Sequence, residues 1–142
     1  MKIHLTRRYP FAASHRLHSA RLSEEDNRRI YGKCNNPYGH GHNYVMEVTL
    51  SGPVDPATGM IAHLSELDRF VEREVIEAFD HKYLNAEITA FRERVPTTEN
   101  LCIEIYNRLR AFPGARLERV RLEETSLNSF SYSGESNGSI PQ

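Results

Sequence analysis

His40-Gly41-His42 sets two imidazoles two residues apart, and in an extended backbone both project to the same side. Paired this way, they can hold one metal ion. Such a pair arises easily by chance in a chain with seven His, so its weight comes from its company. Cys34 stands upstream of it across the turn Asn35-Asn36-Pro37-Tyr38-Gly39, and Asn43 follows it. Gly41 is read as leaving room for close approach and permitting unusual backbone angles. A metal centre needs a third ligand, and His15 is the best candidate. It ends a predicted strand that an antiparallel neighbour would bring beside His40 and His42. Three neutral imidazoles with an open fourth position match a catalytic zinc rather than a closed structural one. His4, His18 and His63 are read as ordinary surface or loop residues.

Other side chains could carry proton transfer or recognition. Cys34 competes between buried filler and reactive thiol; a dication beside it would favour the thiolate. Cys102, on the apolar side of a predicted helix, is read as core. Asp80-His81 falls where a helix should stop. Neighbours in sequence do not face each other inside a helix, so an Asp–His hydrogen bond requires the chain to have left helical geometry. Such a bond would fix the imidazole tautomer; otherwise the pair is a C-terminal cation beside a surface acid. Glu124 shares strand parity with Val120 and Leu122, so it should project from an apolar face. A carboxylate there suits a donor pair such as the N–H and NH2 edge of a heterocycle; a slip of one residue would leave it solvated. Glu99 opens a helix, where negative charge is favourable for dipole reasons alone.

Those groups need elements to hold them. Residues 2–13 alternate as a half-buried strand, with Pro10 requiring an edge or a bulge. Residues 19–39 have weak periodicity and read as a long functional loop. A second strand, about 41–51, puts Tyr44, Met46, Val48 and Leu50 on one face, with His40 and His42 on the same parity. Leu64, Leu67, Phe70, Val71, Val75 and Phe79 form a helical stripe, with Ser65 and Asp68 resembling a start signature. Thr97 or Thr98 caps a second helix carrying Leu101, Ile105, Leu109 and Phe112, halted by Pro113-Gly114. Strands over 117–125 and around Phe130 and Tyr132 follow, then a frayed tail over 134–142. The order ββααββ predicts one α+β domain across residues 1–142. Its four-stranded antiparallel sheet has two helices on one face. Exposed edges and one bare face call for oligomerisation.

Composition bounds the function. The 142 residues are 39% hydrophobic and 26% charged, with a formal net charge of −1. No basic block stands out, which argues against nucleic acid as a partner. No apolar run approaches membrane-spanning length. Two Cys without a recognisable signal segment point to a reducing cytoplasm.

The motifs together resemble the 6-pyruvoyl-tetrahydropterin synthase and 6-carboxy-tetrahydropterin synthase family. They are Ser14-His15-Arg16-Leu17, Cys34 with five residues before His40-Gly41-His42-Asn43-Tyr44, Gly59-Met60, Asp80-His81-Lys82 with Leu84-Asn85, Pro96-Thr97-Thr98-Glu99-Asn100, and Glu124-Thr125. The resemblance implies the tunnelling fold (T-fold), in which three subunits close a barrel and two trimers form a homohexamer. It implies Zn2+ on His15, His40 and His42, with Cys34 as catalytic base. Asp80 and His81 would form a relay from a neighbouring subunit, placing the active sites at subunit interfaces. Glu124 would anchor the pterin, with Thr97, Thr98 and Glu99 lining its pocket. The implied substrate is 7,8-dihydroneopterin triphosphate. The five-residue spacer resembles the pyruvoyl-forming branch, because three residues are common in the carboxy branch of queuosine biosynthesis. A folate-feeding branch carries Glu in place of the Cys. His63 departs from the pattern, which often has Asp or Asn there. Rival readings are a non-catalytic zinc or pterin-binding protein, and a zinc hydrolase, for which the sequence supplies no clear water-activating carboxylate.

Overall fold

Strands β1 (Lys2–His15) and β2 (His40–Pro53) run antiparallel along their whole length. The computed structural model describes residues 2–135, so the expected frayed tail lies outside the described residues from position 136 onward. A polar helix, α1 (Glu24–Tyr31), and a 3-10 turn (Gly32–Asn35) join the two strands. After β2 come α2 (Leu64–Val71), a π turn (Glu72–Ile76), α3 (Glu77–Phe79), β3 (Lys82–Tyr83) and α4 (Leu84–Glu87). Then follow α5 (Thr98–Leu109), β4 (Arg116–Thr125) and β5 (Asn128–Tyr132). The sheet order is β3-β1-β2-β4-β5.

The long strands bury one parity. Phe11, Ala13, Tyr44, Met46, Val48, Leu50, Val120 and Leu122 pack against Leu67, Val71, Val75 and Phe79 of the α2–α3 run and Leu101, Ile105 and Leu109 of α5. Leu117 is buried too, on the opposite parity, because a register shift opposite Thr49 and Leu50 leaves Glu118 as an extra residue in β4. Pro10 pairs with Val45 on one side only, since β3 reaches β1 no further than Ala13 and Ser14. Its missing donor therefore falls at an open edge, as expected.

Four expectations need correction. The antiparallel sheet has the four predicted strands, but β3 adds a fifth, parallel to β1. The loop over 19–39 contains α1. That helix is set by the Ser23 cap and three acids in its first turn, not by an apolar stripe, so a search for periodicity passes over it. The Ser65–Asp68 start signature does not form. His63 is the N-cap, and Asp68 instead accepts from Arg7 (2.7 and 2.8 Å) and the Tyr9 hydroxyl (2.7 Å). The long helix is also interrupted. Its buried residues recur every four positions, which drifts around an ideal 3.6-residue helix, and the wider π turn keeps them on one face. No helix among the described residues is long and apolar enough to cross a membrane.

Candidate active site and metal centre

Pairing of β1 with β2 puts His15 directly opposite His40 and Ala13 opposite His42. All three imidazoles share the inward parity, and one ligand nitrogen from each lies within 4.8 Å of the others. His15 Nε2 and His40 Nε2 are 3.2 Å apart. Two nitrogens on one tetrahedral zinc at ordinary bond lengths are separated by about 3.3 Å, so the spacing is already that of co-ligands.

His15 is prepared for this role. It is 1% exposed, and its Nδ1 donates to the Pro96 carbonyl at 2.7 Å. That bond leaves Nε2 as the lone-pair nitrogen facing the cluster. Burial brings its pKa down to about 4, helped by His40 and His42 and opposed by the Pro96 carbonyl and Glu124. Burial likewise lowers His42. His40 Nδ1 is buried with no hydrogen-bond partner among the described residues. The donor set fits Zn2+.

Gly39, rather than Gly41, makes the close approach. Gly41 lies in plain strand, where a Cβ would meet only the Ala13 carbonyl at 3.7 Å. Gly39 has φ +74°, and a Cβ there would lie 3.0 Å from the Tyr83 ring and 3.1 Å from the His15 carbonyl.

Glu124 comes to the cluster from β4, where a register shift between Glu123 and Thr125 bulges the strand. Its Oε2 lies 3.8 Å from His42 Nε2 and 4.0 Å from His15 Nε2. Thr98 donates to that same oxygen, and Asn128 Nδ2 donates to Oε1 at 3.2 Å. Burial would raise the carboxyl, but these two donors with His42 and His15 outweigh it and hold it below its ordinary value. Glu124 projects from the inward face as its parity predicts, and its distances bring to the metal position the carboxylate that the sequence did not clearly supply.

The two adjacent threonines divide their labour. Thr97 caps α5, accepting from the Asn100 backbone N–H at 3.2 Å, while buried Thr98 turns to Glu124. Glu99 is exposed on the first turn of α5 and has no hydrogen bond to the cluster.

Cys34 sits half-buried in the 3-10 turn. The turn is tied to the segment after His15: Leu17 N–H donates to the Cys34 carbonyl at 2.8 Å, and Arg16 Nε to the Asn35 carbonyl at 3.0 Å. The buried Asn35 amide donates to the Leu17 carbonyl (2.7 Å) and to His18 Nδ1 (3.0 Å). In the metal-free chain burial pushes the Cys34 thiol up, and Glu124 adds to the rise. Cys102 is core.

Asp80 and His81 form the pair that sequence left open. The chain leaves the helix at Asp80, and His81 takes φ +61°, which puts His81 Nδ1 3.1 Å from Asp80 Oδ1. Asp80 Oδ1 also accepts from Ala12 N–H at 2.9 Å, and His81 N–H donates to the Ala12 carbonyl at 2.6 Å. The Ala12 bond, then His81, lowers the Asp80 carboxyl against its partial burial. The His81 side chain is 82% exposed, on the edge of β1 rather than in the metal cluster.

Asn35 and Asn85, met in the sequence only as a turn residue and a motif residue, act as clasps that the sequence did not assign. Asn85 clasps Arg16 by accepting from its N–H and donating to its carbonyl, both at 2.8 Å. Their partners lie 17 to 69 residues away in the chain, so no local spacing betrays them.

The family model for 6-pyruvoyl tetrahydropterin synthase matches residues 4–135. The chain belongs to this family. A 6-pyruvoyl tetrahydrobiopterin synthase of Poecilia reticulata is 47% identical over 133 residues, covering 93% of this chain and 90% of that one. The Homo sapiens protein of the same description is 44% identical over 132 residues, covering 92% and 91%. The solved 6-pyruvoyl tetrahydropterin synthase of Caenorhabditis elegans superposes with a TM-score of 0.91 at 39% identity, covering 95% and 97% of the two chains.

Proposed function

We propose that this family member is a zinc-dependent lyase. It converts 7,8-dihydroneopterin triphosphate to 6-pyruvoyl-tetrahydropterin and releases triphosphate. The observation that carries the reading is the cluster of three ligand-ready imidazoles beside a carboxylate held as an acceptor. The family match and the relatives' names support the choice of reaction. Oxidation of the substrate's side chain is matched by reduction of the ring N5=C6 bond, so no external redox cofactor is needed.

Bound Zn2+ supplies Lewis-acid polarisation of the side-chain hydroxyls and a positive charge that favours the neighbouring thiolate. Cys34 takes the proton from the side-chain carbon next to the ring. Glu124 keeps lone pairs beyond those used by Thr98 and Asn128, and these accept from the pterin's N–H and amino group. Thr98 supports that anchor, leaving Thr97 and Glu99 to the rim of the pocket. Asp80 accepts from His81 Nδ1, which leaves Nε2 free to take or give a proton. Exposed as it is, His81 serves the Cys34 of a neighbouring subunit, in a hexamer built from two trimeric barrels. A cytosolic setting suits a free catalytic thiol.

The test is product identification. Zinc-loaded protein should release triphosphate from dihydroneopterin triphosphate and form the pyruvoyl product without acetaldehyde. Acetaldehyde would place it in the carboxy branch, and binding without triphosphate release would make it a non-catalytic binder. Glu124 supplies the carboxylate that a zinc hydrolase needs, and in that case hydrolysis would leave the pterin ring unreduced. Cys34→Ala should abolish turnover with zinc still bound; undiminished activity would remove Cys34 as the base.

A further inference from the structure

A cleft of about 770 Å³ lies between the segment that follows β1 and the segment that leads into α5. Arg16, His18, Arg21, Arg92 and Arg94 line it, against a single carboxylate, Glu93. Arg94 is engaged by Glu104 at 3.0 Å. By contrast, Arg21 and Arg92 are exposed, and among the described residues neither side chain makes an ion pair or hydrogen bond. Arg16 spends only Nε, on the Asn35 carbonyl, and its two terminal nitrogens are unused. Guanidinium groups gathered without counter-charge repel one another, and they match phosphate oxygens in fork geometry.

The cleft adjoins the metal centre through covalent neighbours. Pro96 forms part of its wall, and the Pro96 carbonyl is the acceptor that orients His15. Arg16 follows His15 in the chain, and Asn85, also in the wall, clasps the Arg16 backbone. Glu124 meets the opposite nitrogen of the His15 ring, its Oε2 4.0 Å from His15 Nε2, and Thr98, two residues beyond Pro96, donates to that oxygen. A ligand anchored at Glu124 whose polar chain runs past the metal position and the His15–Arg16 segment reaches the arginines with its far end.

Resting on the reading above, we propose that this cleft is the polyphosphate subsite, in which Arg21 and Arg92, with Arg16, hold the substrate's triphosphate and then the leaving triphosphate. Exposed arginines in an open cleft bind by charge and fork geometry, so the affinity falls as salt rises.

The test uses the zinc-loaded protein and the variant R21A/R92A, whose exposed side chains contribute nothing to the core, with R69A/R110A as a charge-matched control. Calorimetric titration with inorganic tripolyphosphate should show weaker binding by about tenfold for each arginine removed. Affinity for neopterin, which carries no phosphate, should stay unchanged. With dihydroneopterin triphosphate the same variant should raise KM strongly and leave kcat nearly intact. Equal tripolyphosphate affinity in R21A/R92A and the wild type would overturn the subsite, as would an equal loss in the control. A tripolyphosphate loss with unchanged KM would overturn its assignment to the substrate. Tripolyphosphate binding that depends on Arg21 and Arg92, without any turnover, would remove the lyase reading and keep the subsite.

Discussion

His15 shows how one residue's surroundings fix its chemistry. Its folded-state pKa is about 4, below the ordinary 6.5, chiefly because the ring is buried. The unfolded chain therefore binds more protons between about pH 6.5 and 4, and folding stability falls as pH falls through that window. For the metal-stripped protein we expect a thermal midpoint that is flat above pH 7. Below that it should decline, as up to roughly 3 kcal/mol of unfolding free energy is lost in total. The His15 ring proton should titrate in NMR near pH 4; a midpoint near 6.5 would mean that the ring is open to water. Glu124, by contrast, is held in its charged form: against burial, Thr98 and Asn128 keep its carboxyl below the ordinary value. Glu124→Ala should remove pterin affinity with fold and zinc intact. Normal affinity in a fluorescence titration would show that the anchor lies elsewhere.

At the scale of elements, the metal ligands and the thiol are held by different means. Strand pairing alone sets His15 against His40, and such a ladder tolerates little drift. The Cys34 turn has no ladder. It hangs on Asn35, whose buried amide bridges Leu17 and His18, and removing a buried donor leaves its acceptors unsatisfied at about 1–3 kcal/mol. Asn35→Ala should therefore lower kcat by about tenfold or more as the turn loosens. KM and zinc stoichiometry should stay near wild type, because the strands that carry the ligands are untouched. An unchanged kcat would show that the Leu17–Cys34 backbone bond suffices. Helix α1 presents its own clasp, Asn27, whose side chain bonds the backbone of Ser19, Leu22 and Ser23. The long connection is thus folded by amides rather than by apolar burial.

The whole molecule leaves work for a second copy. Among the described residues one sheet face carries no helix and His40 Nδ1 is buried without an acceptor, and the Asp80–His81 pair stands on a strand edge with the imidazole exposed. If Cys34 of one subunit works with His81 of another, C34A and H81A homo-oligomers are each inactive. Refolding the two together in equal amounts should then restore about a quarter of the wild-type rate, since half the sites find each intact partner at random. No restored activity would show that both residues serve from one chain.

The sequence by itself determined the elements whose burial is periodic. The alternation along β1, β2 and β4 survives because a strand has only two faces, and the inward parity of His15, His40, His42 and Glu124 follows from it. The Asp80–His81 break was legible for a related reason, since adjacent side chains meet only outside a helix. Tertiary structure alone decided what depends on partners distant in the chain. Thr98 and not Thr97 reaches Glu124, because the cap consumes the other hydroxyl. Gly39 and not Gly41 permits the close approach, because Tyr83 and the His15 carbonyl arrive beside it. Helix α1 and the Asn35 and Asn85 clasps leave no local pattern, since an amide bonded to a remote backbone carries no period. The carboxylate beside the metal position was hidden for the same reason: parity gives a side chain its face, and only packing brings two faces to within 4 Å.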